Sequence, residues 1–206
     1  MKTVFLLIIA VYIFFASGIS DAQNLKQNFE TGKKAFYADD FDTANKLFSE
    51  MLNMESDSYE KCFYKGLIYF IYFDYEKSQK ELTAALEYKK SPEAYFNRAL
   101  TYEKQEKIQN AISDYTSAIK ENKRYTDAYF NRADLYQQLK DYSKAIKDYG
   151  KVIKINPKDD IAYYNRGLLY AETGKKSEAI EDFEEAIKID KIWKVELSRK
   201  IKELKQ

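Results

Sequence analysis

Apolar and polar positions repeat along this chain with a period of 34 residues. The three clearest copies begin at Ala94, Ala128 and Ala162, and each reads Ala, Tyr, aromatic, Asn, Arg and a small residue. No segment alternates between apolar and polar residues over a useful length, so no strand is expected. Self-similarity at such a period is typical of stacked helical hairpins, each of which needs a neighbour to bury its apolar face. The pattern predicts an all-α fold and favours binding over catalysis.

The three copies stay alike further downstream, where aromatic and small residues alternate in a fixed order. The matching sets are Tyr102, Tyr136 and Tyr170, then Ala111, Ala145 and Ala179, then Tyr115, Tyr149 and Phe183, and last Ala118, Val152 and Ala186. This arrangement resembles the tetratricopeptide repeat family, which implies a right-handed superhelical solenoid. Small residues let the two helices of a hairpin approach closely, while the aromatic residues fill the seams.

Two weaker copies precede these three, so we expect about five hairpins in residues 23–193. The repeats are predicted near 25–58, 59–91, 92–125, 126–159 and 160–193. The remaining segment, 194–206, has the mixture of apolar and charged residues that is typical of an amphipathic helix. We expect it to cap the last hairpin, with Val195, Ile201 and Leu204 on its covered face.

The N-terminal 22 residues have a different composition, with a basic start, an unbroken apolar run from Val4 to Phe15, and small residues that end at Ala22. This layout predicts a signal peptide, 1–22, and export to the periplasm or the exterior. The run is short for a membrane span, which needs about 20 residues. The alternative is that residues 4–16 remain as a signal anchor, and only then would the protein contact a membrane.

The composition excludes several kinds of chemistry. The chain has no histidine and a single cysteine, Cys62, which excludes histidine- or cysteine-based zinc sites, catalytic triads and imidazole catalysis within the chain. It has no glycine-rich phosphate loop, and its formal charge of +1 does not suit nucleic acid. We therefore expect neither an enzyme nor a cofactor or metal. Carboxylate catalysis in a groove is the least favoured alternative.

Arginine and aspartate recur together in a way that departs from the family pattern. The arginines are Arg98, Arg132 and Arg166, and the aspartates that follow in the same repeats are Asp114, Asp148 and Asp182. The second repeat has Lys65 with Glu81 at these positions. Because basic and acidic residues occur together, we predict structural ion pairs. An arginine ladder for an acidic ligand is the alternative, and the matched acids argue against it.

The resemblance also implies a concave groove, lined by the first helix of each hairpin, that binds peptides. The candidate groove residues are Asn97, Asn131, Asn165, Phe96, Phe130, Tyr164, Glu93, Asp127 and Asp134. Asparagine amides can both donate to and accept from a peptide backbone. The acidic and aromatic side chains favour a basic or apolar segment. The alternative is that the aromatic and asparagine residues are partly structural and the acids only keep the face soluble.

Residues 62–73 are apolar at nearly every position, which predicts either complete burial or an exposed patch. The candidate patch residues are Phe63, Tyr64, Leu67, Phe70 and Ile71. Packing against the first hairpin is the alternative. The sequence as a whole thus predicts an exported adaptor or scaffold whose partner is a protein or peptide.

Overall fold

The computed structural model describes residues 23–53 and 58–206. The predicted signal peptide, 1–22, and the alternative anchor, 4–16, lie outside the described residues. Within the described part of the chain, no helix is long and apolar enough to cross a membrane.

All regular structure in the described ranges is helical. Helix α1 covers residues 23–37, and the helices that follow are α2 (Phe41–Leu52), α3 (Tyr59–Ile71), α4 (Tyr75–Tyr88), α5 (Pro92–Lys104), α6 (Ile108–Glu121), α7 (Thr126–Gln138), α8 (Tyr142–Ile155), α9 (Asp160–Glu172), α10 (Lys176–Ile189) and α11 (Lys194–Leu204). One 3₁₀ turn, Lys191–Trp193, precedes α11. This arrangement confirms the all-α fold of consecutive helical hairpins.

Short polar side chains set where the helices begin. The Ser91 hydroxyl accepts a hydrogen bond from the Ala94 amide at 3.0 Å, and Pro92 takes the first helical position of α5. Asp159 accepts one from the Ala162 amide at 3.0 Å at the start of α9. These caps satisfy backbone donors that a helix start leaves unpaired.

The first structural unit ends at Gln105 and contains α1 to α5. Its core includes Leu25, Phe29, Phe48, Met51 and Ile68, all at most 4% exposed. Helix α4 packs against both α3 and α5. A buried hydrogen bond of 3.1 Å between the hydroxyls of Ser78 and Thr101 links α4 to α5.

The second structural unit, Glu106–Gln206, contains α6 to α11. Within it α7 packs against α8, and α9 packs against α10. Its C-terminal core is formed by Ala179, Phe183, Ala186 and Leu197, all fully buried. This core lies between the last hairpin and α11.

Glycines mark the closest approach of the two helices in three hairpins. A Cβ atom at Gly32 would lie 2.5 Å from Phe48, one at Gly66 would lie 2.6 Å from the Leu82 side chain, and one at Gly167 would lie 2.7 Å from Phe183. Real Cβ atoms do not tolerate such distances. The prediction that small residues at this point of the repeat permit close helix packing is confirmed for these three hairpins.

The capping helix forms as predicted, but its covered face was assigned incorrectly. Val195 is 86% exposed, whereas Leu197 is fully buried. Leu197, Ile201 and Leu204 lie four and three residues apart, so they share one face of α11, and all three contact the last hairpin's core. The helix therefore packs in a register set by Leu197.

Candidate protein-interaction site

The predicted ion pairs are confirmed in the second unit. The Arg132 guanidinium donates to both carboxylate oxygens of Asp148, at 2.7 and 2.8 Å. Arg166 does the same with Asp182, at 2.8 and 2.7 Å. The aspartate side chains are only 4% and 6% exposed. Burial raises the pKa of Asp182, and the Arg166 charge offsets part of that rise.

Each repeated arginine also lies against two tyrosines of its own helix. The Arg132 guanidinium carbon lies 5.7 Å from the Tyr129 ring centre and 5.8 Å from that of Tyr136. Arg166 stands at similar distances from Tyr163 and Tyr170. These cation–π contacts occupy the guanidinium faces while aspartate occupies the edge. The paired arginines are therefore structural, which removes the support for an arginine ladder.

In the first unit, Arg98 has the same tyrosine contacts: it lies over Tyr95 and Tyr102, and it donates to the Thr83 hydroxyl at 3.0 Å. Lys65 and Glu81, both in the described part of the chain, do not form an ion pair there. Lysine is a point charge that lacks the planar fork matching a carboxylate, so it is less suited than arginine to hold an acidic partner at this position.

The candidate groove residues of one repeat share one face of α7. Asp127, Phe130, Asn131 and Asp134 are spaced three, four and seven residues along the helix, which aligns their side chains. Glu93, Phe96 and Asn97 are aligned in the same way on α5. Asn165 and Tyr164 lie on α9. Of these three sets, the one on α7 contains the most candidate residues, and we call its four residues the α7 face.

The asparagines already make hydrogen bonds within the chain. Asn97 donates to the Glu93 carbonyl oxygen at 2.8 Å, and Asn131 donates to the Tyr115 hydroxyl at 3.1 Å. Asn165 is partly exposed. Because the two bonds use amide donors, the carbonyl oxygens of Asn97 and Asn131 are the groups that suit a peptide N–H.

The aromatic groove residues differ in how they are covered. Tyr164 stacks on Trp193 with a ring-centre distance of 4.4 Å, and its hydroxyl donates to Glu196 at 3.0 Å. It therefore belongs to the contact with the C-terminal segment. Phe130 meets the Tyr149 ring edge to face at 5.4 Å and stays partly exposed. Phe130 is the better candidate for a ligand contact.

The acidic groove residues have two different environments. Glu93, Asp127 and Asp134 are all exposed, but only Asp134 of the three also accepts a hydrogen bond from the Tyr149 hydroxyl. Partial burial of its carboxylate raises the pKa of Asp134, and the bond from Tyr149 partly offsets this rise. Asp127 and Glu93 are thus the carboxylates best placed to attract a cationic side chain.

The candidate hydrophobic patch in α3 packs mostly against other residues of the chain. Tyr64, Leu67 and Ile71 pack against the N-terminal core. Phe63 stacks on Tyr59 at 5.6 Å, and Phe70 contacts Tyr75 edge to face at the same distance. The alternative interpretation, packing against the first hairpin, therefore describes Tyr64, Leu67 and Ile71.

The large exposed aromatics of this region lie at the hairpin turns instead, and the sequence reasoning missed them. They are Tyr37, Phe41, Tyr72 and Phe73, exposed by 74, 49, 37 and 74%. The sequence signal that could have identified them as exposed is the polar turn residues next to them.

No group of three or more residues suited to hold a metal ion occurs among the described residues.

Comparison with known proteins assigns these repeats. Residues 92–125, 126–159 and 161–191 each match the family model of the tetratricopeptide repeat. The fold is similar to a crystal structure of MamA, with 27% identity over 78% of this chain and 94% of that one and a TM-score of 0.68. A search of curated proteins finds no significant match.

Two further solved structures have a similar fold. A tetratricopeptide repeat protein from Parabacteroides merdae shares 28% identity at a TM-score of 0.63, over 66% of this chain. This chain spans about half of that protein, 55%. YrrB, a tetratricopeptide-repeat protein with an unusual peptide-binding site, shares 18% identity over 84% of this chain and 90% of that one, with a TM-score of 0.64.

Proposed function

Because this chain belongs to the tetratricopeptide-repeat family, we propose that it is an exported adaptor or scaffold that binds an extended segment of a partner protein. The single observation that carries the proposal is the α7 face, where Asp127, Phe130 and Asn131 lie side by side. An exposed carboxylate, a partly exposed ring and an amide oxygen suit one extended peptide.

The chemistry of this face favours a basic or apolar segment. The Phe130 ring offers an anchor for an aliphatic or cationic side chain, and aromatic anchors supply a large share of interface energy. The exposed Asp127 carboxylate attracts lysine or arginine. The Asn131 carbonyl oxygen accepts from the peptide backbone. The face of α5 repeats the same three groups with Glu93, Phe96 and Asn97.

We expect Phe130→Ala to weaken partner binding by about 2 kcal/mol, the range of a central aromatic anchor. Changing Asn97, Asn131 and Asn165 together to Ala should cost on the order of 0.5–1.5 kcal/mol for each lost bond. The partner is first captured from the native envelope fraction, and its affinity for the purified chain is then measured by calorimetry.

The matched controls separate binding from folding. Leu139→Ala alters a side chain that is 46% exposed at the turn after α7 and is not one of the candidate groove positions, so it should leave the affinity unchanged. Because Phe130 contacts Tyr149 and Asn131 bonds Tyr115, thermal unfolding of each variant is measured as well. Asp127→Lys changes an exposed position, so it should lower the affinity for a basic segment without destabilising the fold. If Phe130→Ala, the triple asparagine variant and Asp127→Lys all bind with unchanged affinity, the proposed groove is not the binding site.

The proposed location outside the cytoplasm rests on the N-terminal sequence alone. We expect the protein isolated from its native host to lack residues 1–22, because the small residues before Gln23 suit signal cleavage. Intact-mass measurement of the isolated protein tests this expectation. A mass that includes the apolar run would favour the alternative, a membrane-anchored assembly factor with residues 4–16 retained.

A further inference from the structure

Four exposed aromatic side chains form a patch at the turns of the first two hairpins, here called the aromatic patch: Tyr37, Phe41, Tyr72 and Phe73. The Phe36 ring contacts the rings of both Tyr37 and Phe41, at 5.8 and 5.7 Å. The Tyr72 ring packs on Phe48, and its hydroxyl donates to Asn45, one turn after Phe41 on α2. These contacts bring the two turns together within the first unit.

Phe73 occupies an unfavourable backbone conformation at the tip of this patch. Its φ is +62°, in the left-handed region. The equivalent position in the other hairpin turns is occupied by Asp39, Glu106, Lys140 and Gly174, all of which have positive φ. A bulky apolar residue is the least suited of these to such a backbone, and 74% of it faces solvent. Within its own chain Phe73 contacts the Tyr75 ring edge to face at 6.3 Å, and most of its side chain stays exposed.

The aromatic patch has an acidic rim. Asp39, Asp40 and Asp42 surround Phe41 in the first turn, where the segment 37–42 carries no basic residue. In the second turn Glu76 follows Phe73, while the charges of Asp74 and Lys77 are paired with each other at 2.8 Å. Apolar surface with a negative rim is complementary to apolar surface with a positive rim.

A surface of that second kind occurs at the C-terminal end of the chain. Ile192 and Val195 are 76% and 86% exposed, and Lys191 and Lys194 stand beside them. Arg199, which approaches Glu203 at 3.8 Å, and Lys202 follow Val195 by one and two turns of α11, on the same face. Residues 188–205 contain seven basic and three acidic residues. We call Ile192, Val195 and these cations the basic end.

These two surfaces account for most of the large exposed apolar side chains. Nine such residues occur in the described ranges, of which four lie in the aromatic patch and two in the basic end. Large exposed apolar surface with a polar rim is typical of protein contacts. Both halves of a matched contact are therefore present on one chain, with opposite charge.

We propose that the chain binds a second copy of itself head to tail, with the basic end of one copy seated on the aromatic patch of the other. The contact joins two different surfaces, so a bound pair still offers one free aromatic patch on one copy and one free basic end on the other. Such a heterologous contact extends into rings or open chains of copies. The contact does not involve the α7 face and is independent of peptide binding.

Sedimentation velocity of the chain purified without the apolar N-terminal segment, as residues 23–206, tests this proposal. The wild-type chain should form oligomers that grow with protein concentration and weaken at higher salt. Phe73→Asp should lower the association constant at least tenfold, and so should Val195→Asp. Neither change should disturb the fold, because Asp39 occupies the equivalent turn position and Val195 is exposed.

Mixing the two variants gives the decisive result. A Phe73→Asp copy keeps its basic end and a Val195→Asp copy keeps its aromatic patch, so the mixture should form dimers that neither variant forms alone. Tyr88→Asp, at a side chain 54% exposed outside both surfaces, should associate like the wild type. A monomeric wild type, a monomeric mixture, or a Val195→Asp variant that associates normally would each overturn the proposal.

Discussion

Gly167→Leu is expected to destabilise the protein by about 3 kcal/mol, the upper part of the range for overpacking a tight core contact. Even a Cβ atom at this position would lie 2.7 Å from Phe183 and 3.2 Å from the Asp182 side chain. Phe183 is fully buried and cannot move into solvent. Asp182 is held by both of its hydrogen bonds from Arg166, so the crowding also strains that pair.

Denaturant unfolding of a matched pair of alanine variants separates this crowding from the general effect of replacing a helical glycine. Gly150 lies inside α8, where a Cβ atom would meet only the Arg166 guanidinium, at 3.3 Å. Alanine is a better helix former than glycine by about 1 kcal/mol. Gly150→Ala should therefore be neutral or stabilising, whereas Gly167→Ala should be destabilising. Equal midpoints for the two variants would show that the α9–α10 contact is not tight.

The contacts inside each hairpin were predictable because they repeat. Gly167 with Phe183 and Arg132 with Asp148 are both 16 residues apart, and the same pairing of positions recurs from one copy to the next. A repeat packs only against its neighbours, so one set of spacings describes several contacts at once. For this reason the helical hairpins and the ion pairs could be derived from the amino-acid sequence.

Contacts that occur once could not be derived in this way. Trp193 covers Tyr164 and donates to Asp160 at 2.6 Å, and because the chain has a single tryptophan, the bond from its indole has no repeated copy that would reveal it. The face of α11 was misassigned for the same reason, since Val195 and Leu197 are both apolar and only packing distinguishes them. The aromatic patch depends on two turns that meet in space.

Breaking the buried ion pair in α7 and α8 is the second large effect that we expect. Arg132→Met should destabilise the protein by about 3–5 kcal/mol, because it leaves the Asp148 carboxylate buried without its partner. Asp148→Asn should also destabilise, since the Arg132 side chain is only 14% exposed. The Thr116 hydroxyl, which accepts from Arg132 at 2.8 Å, loses its donor in the first variant alone.

A double-mutant cycle measures whether these two residues act as a pair. The variant with both changes should recover about 0.5–3 kcal/mol relative to the sum of the single effects, the coupling usual for contacting groups. Lys144 and Asp141 provide the control, because their side chains are 60% and 35% exposed although they approach to 2.6 Å. Water screens such a pair, so its cycle should show little or no coupling. Strictly additive effects at Arg132 and Asp148 would mean that the arginine is held by Tyr129, Tyr136 and Thr116, and that the aspartate contributes nothing specific to the hairpin.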